Sequence, residues 1–488
     1  MSRYSAAIHD ACAAAGLLLN ANLRSFAFPH TPSRYLLSSM LLNLLYLTAA
    51  VLLTPYFIYR RVVKRKRSGG WRARMGYAPE RPAGVTRVWI HAVSVGEAAA
   101  AETLVKALRQ ALPDLDVVVS TTTTTGQEVA AKRYGADKVF YYPHDFSWVV
   151  KRTLDRVKPS MLVLMELEVW PTMTAEAVRR GIPVVVVNAR VSERAAWRYK
   201  RFWCVVGPSF RRVKRWLAQS DEYATRLRDL GVDPAAVEVS GNLKYDAIDV
   251  ALPSDAERQQ LRARLGLPGD APVLVGGSTH PTEETALRAA YTQLRNGPHP
   301  NLRLILVPRH PERSGDVERE VTAAGFSCLR LSTLRANAAK SQEPTANSQQ
   351  PRANGPQASS PKPQALSVLL VDTVGELRGM YKAADVAFVG GSLIPHGGQN
   401  VMEPCGLGVP VLHGPHMHNF NEAMEILRAC KGSVEVTRES LTAELERLFA
   451  SAAEAKQMAG RARAAFLSKQ GATARAVAFV SQELRNAR

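Results

Sequence analysis

From Val88 onward the chain alternates between short, near-continuous apolar runs and stretches of helical period. RVWIHAVSVGE, LDVVVSTTTTTG, MLVLMELEVWP and IPVVVVNARVS form a first set, with helices expected over Ala98 to Leu112, around Glu128 to Tyr134 and around Thr174 to Arg180. Runs of β-branched residues with no polar face belong to strands covered on both sides, as in parallel sheets. Their alternation with helices predicts a doubly wound α/β domain over 70–250. After LPGDAP the pattern restarts. PVLVGGSTHPTEE, LRLILVPRHPER, ALSVLLVDTVGELRGMY, ADVAFVGGSL and VPVLHGP predict a second α/β domain over 265–425, followed by Ala-rich helices over 426–488. Within the second domain, 336–364 is rich in Ser, Pro, Asn, Gln and Ala. Such a stretch cannot bury a core and predicts a disordered surface insertion.

One further apolar run precedes both domains. Tyr35 to Tyr59 carries no charge, and Arg60, Arg61, Lys64, Arg65, Lys66 and Arg67 come directly after it. About 20 apolar residues cross ~30 Å of hydrocarbon as a helix. Tyrosines at both flanks suit an interfacial belt, and the basic run predicts that the domain beyond it faces the cytoplasm. The segment 35–67 is therefore expected to be a membrane anchor with a basic flank, against the alternative of a buried core helix. Residues 1–34 form an N-terminal extension without a readable pattern.

The formal charge of +20 directs the chain toward anionic partners: nucleic acid, acidic lipid or phosphorylated small molecules. A second basic cluster, Arg194 to Arg215, is interleaved with Trp197, Tyr199, Phe202, Trp203 and Trp216. That mixture suits a membrane surface or anionic amphiphile, or equally a solvated helix with a buried aromatic face. No nucleic-acid motif accompanies it. The five cysteines are scattered without a CxxC pair, which argues against a zinc knuckle or a disulfide framework.

Chemistry is expected where strands end. Ser94-Val95-Gly96-Glu97 closes the first strand, and Glu97 is either a rigidly held general base or a plain helix-start residue. Glu166 and Glu168 stand two apart at another strand end, either functional or paired with a residue such as Arg190. Lys244 in GNLKYD suits a phosphate. In the second domain, the Gly276–His280 loop, the Pro308–Arg313 loop, Gly375-Glu376 and the Gly-rich run into Asn400–Glu403 form a set fitted to a nucleotide. There is no GxxxxGK[ST] and no GxGxxG after a first strand, which disfavours a Walker-type ATPase and a dinucleotide enzyme. His413, His416 and His418 lack a nearby Cys or carboxylate at metal-ligand spacing, so no metal site is expected.

HAVSVGE, STTTTTGQE, MELEVWP, NARVSERA, GNLKYD, GSTHPTEE, LVPRHPER, DTVGEL and FVGGSLIPHGGQNVMEP, in this order, make the chain resemble the 3-deoxy-D-manno-oct-2-ulosonic acid (Kdo) transferases of lipopolysaccharide synthesis from about Leu36 onward. The resemblance implies a GT-B glycosyltransferase: two Rossmann-like domains facing a cleft, behind an N-terminal membrane helix. It implies inverting transfer of Kdo from CMP-Kdo to the lipid A precursor without metal or cofactor. The catalytic domains would lie on the cytoplasmic side of the inner membrane, beside its anionic lipids, with no nucleic acid as partner. Carried onto matching positions, Glu97 becomes the general base, and Glu166 and Lys244 stabilise the transition state. Pro308, Arg309, Val374, Gly375, Glu376, Asn400, Val401, Met402 and Glu403 bind CMP. The usual METELWP stands here as MELEVWP, keeping both acids. The usual GHNxxE stands as GQNVMEP, with Gln399 in place of a His. Two other readings stay open: a GT-B transferase or epimerase that uses a UDP-sugar, and a membrane-bound sugar-nucleotide binder without catalysis.

Overall fold

The computed structural model describes residues 70–340 and 367–486 except Asp249, together with positions 40, 42–44, 46–48, 51, 52, 54 and 59. The extension 1–34, most of the expected anchor 35–67 and most of the insertion 336–364 lie outside the described residues. The chain divides into two compact units, one of residues up to Ala247 with Lys469–Arg488, the other Ile248–Ser468.

In the first unit a short helix α1 (Trp71–Arg74) leads into β1 (Thr86–His91), α2 (Val95–Ala111), β2 (Leu115–Thr121), α3 (Thr124–Tyr134), β3 (Val139–Tyr141), α4 (Ser147–Val157), β4 (Met161–Met165), α5 (Pro171–Arg179) and β5 (Val184–Ala189). Then come α6 (Glu193–Arg201), α7 (Trp203–Arg211), β6 (Arg215–Ala218), α8 (Asp221–Asp229), β7 (Val237–Val239) and α9 (Leu243–Asp246). All strands are parallel, in the order β3-β2-β1-β4-β5-β6-β7. The apolar runs are explained by burial on both faces. Trp89, Leu162, Leu164 and Val186 pack on one side, while Val88, Ile90, Val163 and Val185 pack on the other. Each such side chain contributes about 1.5–3 kcal/mol when fully buried.

The second unit contains α10 (Asp255–Arg264), β8 (Val273–Thr279), α11 (Glu283–Asn296), β9 (Arg303–Pro308), α12 (Ser314–Ala323), β10 (Cys328–Arg330), α13 (Leu331–Lys340) and β11 (Val368–Leu370). It continues with α14 (Leu377–Ala383), β12 (Val386–Val389), α15 (Met402–Gly406), β13 (Val411–His413), α16 (Asn421–Cys430), β14 (Val434–Glu435), α17 (Leu441–Ala450) and α18 (Ala452–Leu467). Its sheet is again parallel, in the order β10-β11-β9-β8-β12-β13-β14. In each sheet the first strand is central, and chain direction across the sheet switches beside it, between β1 and β4 and between β8 and β12. Crevices at such switch points, at the carboxyl ends of the strands, are where open α/β sheets bind ligands.

The structure revises two expectations and decides between the two readings of the Arg194–Arg215 cluster. The last helix, α19 (Ala472–Asn486), packs Ala476, Val480 and Leu484 onto the first unit's sheet, although its pattern groups it with the other C-terminal helices. Residues 336–340, expected to open the disordered insertion, continue α13, whose Leu331 and Leu334 are held in the second unit's core. The aromatic half of the Arg194–Arg215 cluster is mostly core. Tyr199 and Trp216 pack on Phe210 at ring separations of 5.1 Å, as does Trp203 at 5.4 Å, leaving Trp197 exposed between Arg194 and Arg198.

The described positions from 40 to 54 are helical and join the first unit through side chains. Asn43 accepts the Ser147 N–H at 3.0 Å and donates to Ser147 Oγ at 2.7 Å, which supplies a cap to α4. The Tyr46 hydroxyl donates to Asp145 at 3.0 Å, and Asp145 accepts the N–H groups of Thr172 and Met173 that open α5, both at 2.8 Å. Met40, Leu44, Leu47, Val51 and Leu52 face away and are exposed. Among the described residues no helix is long and apolar enough to cross a membrane.

One carboxylate ties the second sheet together. Glu283, fully buried, accepts the N–H groups of His280 (3.0 Å), Gly391 (2.7 Å), Ser392 (2.9 Å) and Leu393 (2.9 Å). It thereby joins the exits of β8 and β12. Glu283→Ala would strand four backbone donors, three of them buried, and we expect chemical denaturation to report a loss above about 3 kcal/mol; a loss below about 1 kcal/mol would contradict this account.

Candidate active site

In the first unit the switch point gathers three acids. Ser94 is the N-cap of α2 and its hydroxyl accepts the Glu97 N–H at 3.3 Å. The Glu97 carboxylate folds back, accepting the Val93 N–H at 2.7 Å through Oε2 and the Ser94 hydroxyl at 3.1 Å through Oε1. The S-x-x-E spacing is that of a capping box, but here the carboxylate reaches the Val93 N–H, one residue before the N-cap. The two bonds fix the carboxylate's rotamer at the exit of β1.

Glu166 leaves β4 in the left-handed region, φ 59°, with its N–H bonded to Val187 O at 3.0 Å. A non-glycine held there carries strain of a kind that clusters at functional sites. Glu168 accepts the Trp170 indole N–H at 3.1 Å. Burial, reinforced by the charges of Glu166 and Glu168, pushes the Glu97 carboxyl up to about 8. Burial likewise pushes Glu168 up to about 7, with Glu166 adding to the effect. The arrangement makes Glu97 a carboxyl of unusually high proton affinity.

His91, the last residue of β1, was missed by the sequence reading. Its ring stacks on Tyr142 at 3.8 Å and its Nδ1 lies 3.0 Å from Ser120 Oγ. Burial lowers its pKa to about 3, so the imidazole stays neutral and acts as packing beside the acids.

Lys244 lies on α9, which Asn242 caps by accepting the Lys244 N–H at 3.0 Å. The neighbouring Leu243 N–H reaches the Asn188 side chain at 3.1 Å, and Leu243 is buried in the core that also holds α2. Lys244 itself is exposed, and no ion pair among the described residues engages it.

In the second unit the predicted donor residues fall on loops at the same edge of one sheet. Pro308 ends β9, and Arg309, exposed, donates its N–H to Thr279 O at 2.9 Å. Beside it the rings of His280 and His310 lie 5.9 Å apart, and those of His280 and His396 lie 4.3 Å apart. Gln399 reaches His280 Nε2 at 3.4 Å. Gly397 and Gly398 have φ of 100° and 77°, and a Cβ on either would strike the Asn419 or Met417 side chain within 2.3 Å. Their backbone conformation and close packing explain the Gly-Gly pair.

Asn400 opens α15, accepting the Met402 N–H at 3.1 Å and donating to Glu403 at 2.9 Å. Val401 is buried. Burial raises the Glu403 carboxyl above the usual range. Val374, Gly375 and Glu376 lie just beyond β11, the neighbour of β9, with Val374 86% exposed. Thus Glu97, Glu166 and Glu168 are brought together in one unit, and the expected nucleotide residues line one edge of the other. His413 is structural, bonded to Gly414 O at 2.8 Å and Ser433 Oγ at 3.1 Å.

Two parallel sheets, one with an acid cluster at its switch point and one with cationic and glycine-rich strand exits, place the chain among two-unit α/β proteins built to bind ligands at strand ends. The chain belongs to the family of 3-deoxy-D-manno-octulosonic acid transferases, which are glycosyltransferases. The family profile described as 3-Deoxy-D-manno-octulosonic-acid transferase (kdotransferase) matches residues 69–247. The 3-deoxy-D-manno-octulosonic acid transferase of Bordetella pertussis is 35% identical over 443 residues, 86% of this chain and 93% of that protein. That of Haemophilus influenzae is 32% identical over 80% of this chain and 85% of that protein. Among solved structures, the C-terminal CMP-Kdo binding domain of WaaA from Acinetobacter baumannii aligns with TM-score 0.35 and 25% identity, covering 43% of this chain and 96% of that one. The UDP-GlcNAc 2-epimerase of Neisseria meningitidis aligns with TM-score 0.49 and 13% identity, over 82% of this chain and all of that one.

The raised proton affinity of Glu97 has a consequence for stability. Between the ordinary value of 4.5 and about 8 the folded chain holds a proton that the unfolded chain has released. This stabilising contribution is complete below the unfolded value and is lost as pH climbs through the folded one. Glu97→Gln keeps an oxygen for the Val93 N–H and removes the titration. The melting temperature of the variant is expected to rise relative to the parent between pH ~5 and pH ~9, and a difference independent of pH would contradict the assignment.

Proposed function

We propose that this protein transfers Kdo from CMP-Kdo to a hydroxyl of the lipid A precursor in lipopolysaccharide assembly, as an inverting GT-B enzyme that needs no metal ion. The observation that carries the reading is the Glu97 carboxylate, fixed by Val93 and Ser94 at the exit of the central strand and made basic by burial and two neighbouring acids. Family membership supplies the reaction.

Glu97 would accept the proton of the acceptor hydroxyl as that oxygen bonds to the anomeric carbon of Kdo. The bond from that carbon to the phosphate oxygen breaks on the opposite face, CMP leaves with the electron pair, and the configuration inverts. Arg309 and Lys244 are cations suited to a leaving phosphate that carries no second phosphate and no metal. Glu166, strained and beside Glu97, would answer the positive charge that develops on the sugar ring. Asn400 and Glu403 would hold the ribose hydroxyls, and Val374–Glu376 the nucleoside. Direct binding of the Kdo carboxylate also favours a strongly basic chain.

The helical positions from Met40 to Thr54 support contact with the bilayer, because their outer stripe is apolar and exposed while Asn43 and Tyr46 grip the first unit. With the basic run Arg60 to Arg67 next in sequence, we assign the protein to the inner membrane, anchored there on its cytoplasmic side among anionic lipids.

Three measurements test the function. Glu97→Gln is expected to abolish product formation, read by mass analysis with a defined acceptor, while CMP still binds. In the parent, kcat/KM should rise ~10-fold from pH 7 to pH 9 as Glu97 loses its proton. Retained transfer in the variant, or a flat profile, would remove the base assignment. Arg309→Ala is expected to weaken CMP binding by about 1.5–3 kcal/mol, measured by titration calorimetry with EDTA present. Tight binding of UDP with indifference to CMP would overturn the donor assignment.

A further inference from the structure

One helix holds both ends of the loop that leaves β11. Arg335, in α13, sets Nη1 on Glu376 Oε1 at 2.7 Å and Nη2 on Glu376 Oε2 at 2.9 Å. About one turn earlier, Ser332 gives its N–H to Asp372 Oδ1 at 3.1 Å and its hydroxyl to Asp372 Oδ2 at 2.5 Å. Asp372 and Glu376 bracket Thr373, Val374 and Gly375, so the loop is fastened at both ends to the same rigid element.

The loop between those ties is shaped for something outside itself. Val374 is 86% exposed, an apolar side chain presented at a loop tip. Gly375 is left-handed at φ 91°, with open space where a Cβ would stand. The Thr373 hydroxyl is shielded from solvent and has no hydrogen-bond partner. Glu376 is the N-cap of α14 but makes no side-chain cap bond. Its carboxylate is turned to Arg335 instead, which also lowers its pKa. Nothing within the loop requires that orientation; the guanidinium fork supplies it.

We propose that Arg335 is a positioning residue for the sugar-nucleotide donor: by forking onto Glu376, with Ser332 tying Asp372, it holds the Val374–Glu376 loop in the form that receives the nucleoside. The inference rests on the reading of that loop as part of the CMP site. It adds a residue outside every motif that carries the family resemblance, on a helix that runs toward the segment 341–366. The contribution is preorganisation. A loop already ordered loses less freedom on binding, so the benefit falls on donor affinity and not on the chemical step. An exposed pair alone is worth little, whereas a bidentate fork backed by a second tie is worth more.

The test uses the full-length protein with CMP-Kdo and a lipid acceptor. Arg335→Gln is expected to raise the KM for CMP-Kdo about fivefold, with kcat and the acceptor KM within about twofold of the parent. Arg335→Lys, which keeps the charge but not the fork, should restore only part of the loss. In a Glu376→Gln background the Arg335→Gln change should have no further effect. Calorimetric CMP binding by the same variants provides a second readout, independent of turnover. An unchanged KM, losses that add in the double variant, or a fall in kcat alone would overturn the inference. Arg309→Ala and Glu403→Ala separate the two levels. If they weaken CMP binding while Arg335→Gln does not, only this inference fails. If neither weakens it, the donor reading of the loops fails as well.

Discussion

Both sheets are organised by a glutamate that turns back from the helix after the central strand onto the backbone leaving that strand. In the first unit it is Glu97, receiving the Val93 N–H and the Ser94 hydroxyl. In the second it is Glu283, receiving four backbone N–H groups from two strand exits. The backbone at a strand exit has donors with no partner of its own, and a carboxylate meets that need at low steric cost. The two copies of this device differ in saturation. Glu283 has donors on both oxygens and none to spare, so it is scaffold. Glu97 has two donors and two carboxylate neighbours, so its charge is only half compensated. That difference raises the proton affinity of Glu97 above that of an ordinary helix-start carboxyl.

The acid cluster depends on the fold's topology. Parallel strands deliver their carboxyl ends to one edge, and the reversal of winding between β1 and β4 opens room there for Glu97 on one side and Glu166 and Glu168 on the other. Glu166 and Glu168 leave the strand through a left-handed turn, and their repulsion is tolerated because burial lets a carboxyl stay protonated. The second sheet uses its equivalent edge for cations, histidines and glycines. The difference between an acid cluster and a cationic, glycine-rich edge arises from which side chains each set of strand exits presents.

Much of this was legible in the sequence. Apolar runs without alternation identified the central strands, because burial on both faces leaves no polar position. The short strands β3, β6, β10 and β14 went unread, since two to four residues carry too little pattern. The strand end and helix start marked Glu97, yet the two roles weighed for it describe one geometry, since the bonds from Val93 and Ser94 are what fix the carboxylate. Glu283 was not singled out, because its donors come from residues 108 to 110 positions away. Arg335 was hidden for the same reason, and for being placed beside a polar, low-complexity stretch. Asn43 and Tyr46 vanished inside an apolar run whose periodicity says nothing of hydrogen bonds. Long-range polar pairing is the part of a fold that local pattern does not encode.

The central claim is that burial and neighbouring charge give one capped carboxyl a proton affinity suited to removing a hydroxyl proton. Carbon-13 NMR of protein labelled at the glutamate carboxyls, with the Glu97 signal assigned by its absence from the Glu97→Gln spectrum, measures this directly. The account predicts a titration midpoint near 8 for that carboxyl. A midpoint at the ordinary carboxylate value near 4.5 would contradict it.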